Sequence, residues 1–270
     1  MRKFSGRRVG AQVLRPLLGG IKLRYGFERL DVVPRAGEWA VTGKINPEFD
    51  EPSGVLTPED LKPEADDGRT LEVGGGNFSF AVSVASKTML GSRLVATNFE
   101  VSDRKTLKKT KKEQERDAIT RQNMSILASM GVEVVEQVDA TDPASYPEGE
   151  FDIVVFNHPY VSGKTADGKP TRGGEGENRK MLAGFLETAK GKIREGGKIM
   201  IISSRFRLAR WQLDKIAESL NLDMLVKEFN PEEWEGYEHE KTRNADAAET
   251  VRRTEQFAII LTVKAEKKDG

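Results

Sequence analysis

From residue 70 onward, short apolar runs alternate with longer stretches in which polar positions dominate. Thr70–Val73, Leu94–Asn98, Val132–Val138, Phe151–Phe156, Lys198–Ser203, Met224–Phe229 and Phe257–Val263 are brief and largely apolar, with turn-forming or charged residues around them, which predicts strands. Helices are predicted over Phe78–Met89, from about Asp103 to Met130, over Glu177–Ile193 and over Leu208–Leu220, the third ending near Gly196-Gly197. Strands alternating with helices imply a mostly parallel sheet covered on both faces. Only a polar loop separates the last two strands, so they are expected to form an antiparallel hairpin at the sheet edge.

Upstream the pattern changes. Leu30–Val33 and Trp39–Ile45 flank a Pro-Arg-Ala-Gly turn and read as a small β-hairpin. Residues 46–69 hold Pro47, Pro52, Pro58 and Pro63 among many acids, a composition that opposes a packed core and reads as a protease-sensitive linker. The expected organisation is a basic extension with a hairpin over 1–45, a linker over 46–69 and a catalytic α/β domain over 70–265. No internal repeat is visible.

Composition narrows the chemistry. Cysteine is absent, which excludes disulfides, thiolate metal sites and a cysteine nucleophile. His158 and His239 are the only histidines, so no metal site is expected. Hydrophobic residues make up 37% and charged residues 32%, and the formal net charge is zero, so affinity for a polyanion must come from local patches. One such patch is the run Arg104, Lys105, Lys108, Lys109, Lys111, Lys112 and Arg116. No stretch is long and apolar enough to suggest a membrane span. Residues 1–27 carry Arg2, Lys3, Arg7, Arg8, Arg15, Lys22 and Arg24 without an acid. That charge suits a basic surface arm or an organellar transit peptide, although Ser5 is its only serine or threonine. A cytoplasmic location is expected, with an organelle or export as alternatives.

Three strand ends carry candidate ligand-binding residues. After Leu71-Glu72-Val73 comes Gly74-Gly75-Gly76-Asn77-Phe78-Ser79, a glycine turn opening a helix, where backbone N–H groups can approach a ligand. A dinucleotide fingerprint would need Gly or Ala at its sixth position, and Ser79 stands there. S-adenosyl-L-methionine, which has no pyrophosphate to seat, suits the loop better. Glu100 follows the second strand and is placed to accept hydrogen bonds from ribose hydroxyls. Asp139, followed by Ala140, follows the third and is placed for an adenine amino group. The fourth strand ends in Asn157-His158-Pro159-Tyr160. There Asn157 is a candidate to orient a planar acceptor, Tyr160 to stack on it and His158 to take a proton. Gly163-Lys164-Thr165 is not a phosphate loop, because the glycine required five residues earlier is His158.

Together these segments resemble the family of the fungal large-subunit ribosomal RNA uridine-N3 methyltransferase. The family loop, close to VGEGNFSF, is matched by Val73–Phe80 with Gly75 in place of the acid. Its ATSYDS resembles Ala96–Val101, with Glu100 at the acid, and its VDAT matches Val138–Thr141. Its FNFPHxG resembles Phe156–Tyr160, but His158 replaces the aromatic residue and Tyr160 the histidine. Asn178-Arg179, the Trp211–Leu220 helix and Gly236-Tyr237-Glu238-His239 through Thr242 follow the family pattern too. Residues 1–66 fall outside it, and Ile21–Pro47 resembles modules that precede toxin or effector domains in bacterial polymorphic systems.

The resemblance implies a Rossmann-like class I methyltransferase sheet and transfer of a methyl group to a uridine ring nitrogen in ribosomal or other RNA. A methyltransferase for a small molecule or protein, including a delivered effector, is the alternative, and a non-catalytic RNA-binding module the third. Absence of cysteine closes the covalent route to pyrimidine carbon-5, which favours a nitrogen acceptor: a uracil N3 first, an exocyclic amino group second.

Overall fold

The computed structural model describes residues 31–35, 38–42, 51–99, 111–164, 170–172, 174–238 and 255–264. The chain divides into two units, Met1–Pro47 and Glu48–Gly270. In the first, β1 (Asp31–Arg35) pairs antiparallel with β2 (Glu38–Thr42), Val32 opposite Val41, and Pro34 and Arg35 lie in the strand.

The second unit is built on a seven-stranded sheet. Its strands are β3 (Thr70–Val73), β4 (Leu94–Asn98), β5 (Glu133–Glu136), β6 (Phe151–Asn157), β9 (Ile193–Ser204), β10 (Leu222–Glu228) and β11 (Gln256–Val263). They lie in the order β10-β11-β9-β6-β3-β4-β5. The run from β9 to β5 is parallel, and β11 is antiparallel to both β9 and β10. Between β6 and β9, a separate two-stranded ribbon joins β7 (Ser162–Lys164) to β8 (Pro170–Arg172). The sequence pattern does not predict this ribbon.

Helices α1 (Ser79–Thr88), α2 (Lys111–Ser129), α3 (Glu175–Lys190), α4 (Arg205–Arg210) and α5 (Leu213–Ser219) complete the unit. Alternation along the central strands feeds two cores. Leu71, Val73, Val154, Phe156, Ile199 and Ile201 pack with Leu182, Phe185 and Leu186 of α3. Ala96, Ile153, Val155, Met200 and Ile202 pack on the other face with Phe80, Ala81 and Val84 of α1 and with Phe229, Trp234 and Tyr237. Burial on both faces explains why these strands read as continuous apolar runs.

Three expectations are revised. The predicted helix ending at Gly196-Gly197 stops instead at Lys190, and the glycines lie inside β9. The pairing there shifts register between Phe151 and Ile153, Gly196 adopts φ +77°, and a Cβ at Gly197 would sit 3.0 Å from the Asp152 carbonyl. These glycines shape a bulge rather than cap a helix. The helix expected over Leu208–Leu220 is broken at Gln212, where φ is +55°. The turn lets both neighbours, Trp211 and Leu213, be buried.

The described part of the proline- and acid-rich segment lies against the sheet. Leu56 and Leu61 are buried in the α1-side core, Val55 bridges to Glu228, and Asp60 pairs with Lys227 at 2.6 Å. Proline forbids regular structure there without forbidding docking, and Pro58 opens a 3₁₀ turn that delivers Leu61 to the core. The first part of the predicted second helix, residues 103–110, lies outside the described residues, as do Glu100 and His239.

Candidate cofactor and acceptor site

The carboxyl ends of β3, β4, β5 and β6 share one edge of the sheet, and four of the predicted segments follow them. In an open parallel sheet this edge is where ligands bind. The glycine turn after β3 is fastened from several sides. Gly75 N–H donates to the Thr97 carbonyl (2.8 Å), while Asn98 Nδ2 donates to the Gly76 carbonyl (2.8 Å). Asn123 Nδ2 of α2 donates to the Asn77 carbonyl (2.7 Å).

Within the turn the glycines differ in role. Gly74 has φ +66°, and a Cβ there would come 2.7 Å from Cε2 of Phe156, so the turn sits tightly on β6. Gly76 has φ +56°, with no atom within 4 Å of its Cβ position. The turn is therefore braced below and open above, the shape of a cradle.

The side chains after the glycines face inward. Asn77 Oδ1 accepts from the Ser79 N–H (3.0 Å), and Phe78 is fully buried with φ +63°. Ser79 Oγ donates to the Glu238 carbonyl (2.9 Å) and accepts from its N–H (3.1 Å). The side chains of Phe78 and Ser79 fasten the turn to the rest of the molecule, so a ligand there would meet only their backbone. Asp139 Oδ1 accepts from both the N–H and the Oγ1 of Thr141, each at 2.8 Å, and the Ala140 carbonyl accepts from the Tyr146 hydroxyl. One Asp139 oxygen shapes its turn, which leaves the other for a ligand.

Two residues outside the candidate set adjoin these segments. Glu72, on the central strand β3, is 1% exposed, and neither carboxylate oxygen has a hydrogen-bond partner. Burial pushes its pKa up to about 8, so the carboxyl is largely protonated at neutral pH. Tyr237 is buried on the same face of the sheet. Burial pushes its hydroxyl far above the usual range, a hydrogen bond with the Asn157 side chain opposes this, and the nearby Glu72 carboxyl adds to the rise. Asn157 also has its Oδ1 buried without a partner. Glu72, Asn157 and Tyr237 therefore form one buried polar group under the glycine turn. An acid inside an otherwise apolar central strand was the signal for Glu72; for Tyr237 it was the family-like segment Gly236-Tyr237-Glu238-His239, which does not itself reveal the contact with Asn157.

The rest of the fourth-strand motif divides between the two faces. His158 has φ +52°, its N–H donates to the Ile202 carbonyl (2.7 Å), and its ring meets Phe229 edge-on at 6.5 Å. Tyr160 packs on the α3 side, and the Arg207 guanidinium lies over its ring at 5.5 Å. Asn178 holds the following turn, its Oδ1 accepting from the Val161 N–H (2.9 Å). Tyr160 therefore has one ring face near a cation, and a stacking acceptor would use the other.

Residues 71–241 match the family model described as rRNA (uridine-N3-)-methyltransferase BTM5-like, a stretch that takes in the glycine turn, Asp139, Asn157 and Tyr237. The chain belongs to this BMT5-like family. Family membership makes the domain a methyltransferase domain and agrees with the strand order above.

Among relatives, Uncharacterized protein At4g26485 of Arabidopsis thaliana is 26% identical over 174 residues, covering 63% of this chain and 79% of that protein. Heavy metal-associated isoprenylated plant protein 41 of the same plant is also 26% identical, but the match spans only 32% of its length. Human Ferredoxin-fold anticodon-binding domain-containing protein 1 is 29% identical over 140 residues, 51% of this chain and 20% of that one. Among solved structures, an rRNA methylase from Streptococcus thermophilus aligns over 77% of this chain and 92% of its own, with a TM-score of 0.43 and 12% identity.

Among the described residues, no helix is long and apolar enough to cross a membrane, and no group of three or more His, Asp or Glu residues is placed to hold a metal ion.

Proposed function

We propose that this protein transfers a methyl group from S-adenosyl-L-methionine to N3 of a uridine in RNA, ribosomal RNA being the leading substrate. The observation that carries the reading is the buried polar group of Glu72, Asn157 and Tyr237 beneath a braced glycine turn, in a domain of this family.

The residues present suit that cofactor. It carries an ammonium and a sulfonium, and an orphaned buried carboxyl is the group that gains most from a cationic ligand. Gly76 leaves open space where a bulky side chain would obstruct it. Backbone groups of Gly74–Ser79, the carboxyl of Glu72 and the second oxygen of Asp139 would hold it, with Glu100 for the ribose. When bound, the cofactor supplies an electrophilic methyl carbon on sulfur.

Asn157 then presents one amide group to a planar acceptor while Tyr237 fixes the other. Such positioning alone supplies much of the rate for a transfer to a ring nitrogen. The N3 proton must leave, and His158 is the nearest group in sequence suited to accept it.

The reading is tested by incubating the protein with labelled cofactor and separate RNA, protein and metabolite pools, then resolving the nucleosides by mass spectrometry. 3-Methyluridine from RNA is the expected product. A product methylated on carbon or on a ribose oxygen refutes the nitrogen assignment, and label only in protein or metabolites refutes RNA as acceptor.

A further inference from the structure

Helix α4, Arg205-Phe206-Arg207-Leu208-Ala209-Arg210, leaves the carboxyl end of β9 immediately beside the end of β6. Asn157 is in register with Ile202, so the arginines begin three residues beyond the strand position that faces the proposed acceptor. Arg207 lies over the Tyr160 ring at 5.5 Å, and Arg205 over the Phe257 ring at 5.6 Å. From α3, Arg179 Nη2 donates to the Arg210 carbonyl (3.3 Å), and Arg210 forms an ion pair with Glu175. Arg179 Nε is buried without a hydrogen-bond partner.

These contacts give the cluster a fixed shape. The four arginines are half-buried, with their stems packed. They are held by two aromatic rings, a helix carbonyl and a carboxylate. At this end of α3, α4 and α5, Arg179, Lys180, Arg205, Arg207 and Arg210 outnumber Glu175, Glu177 and Asp214. Glu177 is also engaged in capping α3 through the Gly174 N–H (3.0 Å). In a chain with no net charge, such a local excess is what attracts a polyanion. Planar guanidiniums stacked on aromatic rings suit bidentate contact with phosphodiesters better than ammonium groups on flexible stems would.

We propose that the α3–α4 arginine face, with Arg205 and Arg207 at its centre, grips the phosphate backbone of the acceptor RNA beside the base presented to Asn157. This rests on the reading of RNA as the acceptor and adds the surface that recognises it. It also places the grip next to Tyr160 rather than on the lysine-rich run of residues 104–116.

The test measures binding of a fluorescein-labelled, uridine-containing single-stranded RNA by anisotropy across a salt series. S-adenosylhomocysteine binding is followed by calorimetry in parallel. Arg205→Gln with Arg207→Gln should weaken RNA binding at least about tenfold and lower the salt slope by about 1.4, two phosphate contacts at roughly 0.7 each for a single strand. Its affinity for S-adenosylhomocysteine should match wild type, whereas Lys108→Gln with Lys109→Gln should keep most RNA affinity.

Unchanged RNA affinity and slope in the glutamine variant overturn the proposal while leaving the methyltransferase reading intact. If that variant fails to fold, Arg205→Lys with Arg207→Lys decides. It should keep the wild-type slope with weaker binding, and wild-type affinity in it overturns the guanidinium grip. A wild-type protein that binds no RNA and labels only protein overturns both this inference and the reading beneath it.

Discussion

The Glu72 carboxyl lies directly against Gly75: a Cβ at that glycine would come 3.1 Å from Glu72 Oε2 and 3.3 Å from Oε1. The loop pattern VGEGNFSF that this chain resembles has an acid at the position of Gly75. Here the strand residue three positions earlier sets a carboxyl in close contact with the place where the first atom of a loop side chain would stand. A side chain at position 75 would require the Glu72 carboxyl to give way by a few tenths of an ångström, so the two positions are sterically coupled.

Glu72 should impose a pH dependence on the stability of the ligand-free protein. Its folded pKa, about 8, lies above its ordinary 4.5, so the folded state holds the proton more tightly. The resulting stabilisation is fully present below about pH 4.5 and is lost as pH rises towards 8, at up to about 1.4 kcal/mol per unit. Glu72→Gln should therefore be more stable than wild type at pH 8, with the gap closing towards pH 5. Urea denaturation curves that stay parallel over this window would remove Glu72 as the titrating group.

Substitutions at Gly74 and Gly76 should separate folding from binding. Both positions have positive φ, which costs a residue with a Cβ about 1–2 kcal/mol. Gly74→Ala also meets Phe156 at 2.7 Å and should cost clearly more than Gly76→Ala in chemical denaturation. Gly76→Arg should retain a native circular dichroism spectrum and lose S-adenosyl-L-methionine binding by calorimetry. Undiminished affinity would show that the space over Gly76 is not the cofactor site.

Leu61→Ala should destabilise the sheet unit by about 2–5 kcal/mol, the cost of a cavity at a fully buried leucine. Limited proteolysis should then cut within residues 51–69, a stretch protected in the wild type by docking. An unchanged urea midpoint would mean that the segment contributes nothing to the fold.

Ser79→Ala should remove both hydrogen bonds to Glu238, one of them at 2.9 Å, at a cost of about 0.5–1.5 kcal/mol. The Glu238 amide should exchange its hydrogen faster, a change read by hydrogen–deuterium exchange. Wild-type protection at that amide would show that the hydroxyl does not hold the segment.

The strand positions and the ligand edge were legible because central parallel strands must be apolar on both faces, and the motifs sit where those strands end. Thr70–Val73 and Leu94–Asn98 coincide with observed strands for this reason. Local patterns fail where distant contacts decide. Gly196-Gly197 looks like a helix stop until the Asp152 carbonyl crowds it into a bulge. Pro58 and its acidic neighbours look solvated until Leu61 is seen in the core. Tyr237 reaches Asn157 from far along the chain, and no spacing rule anticipates that. Glu72 was visible as an acid among apolar residues, but its meaning depends on the Gly75 backbone beside it.

Strand β11 lies between β9 and β10 and is antiparallel to each. A nascent chain that has emerged only as far as Glu238 holds the glycine turn, Asn157 and Tyr237. It still lacks the strand through which β10 joins the sheet. Phe229, Trp234 and Tyr237 follow β10 directly and pack against Phe80 of α1, so their seating is tied to that of β10. The pairing of Ser79 with Glu238 spans 159 residues. Long-range closure of this kind is slow. The buried polar group of Glu72, Asn157 and Tyr237 is therefore assembled by contacts between distant parts of the chain, and no local segment carries it alone.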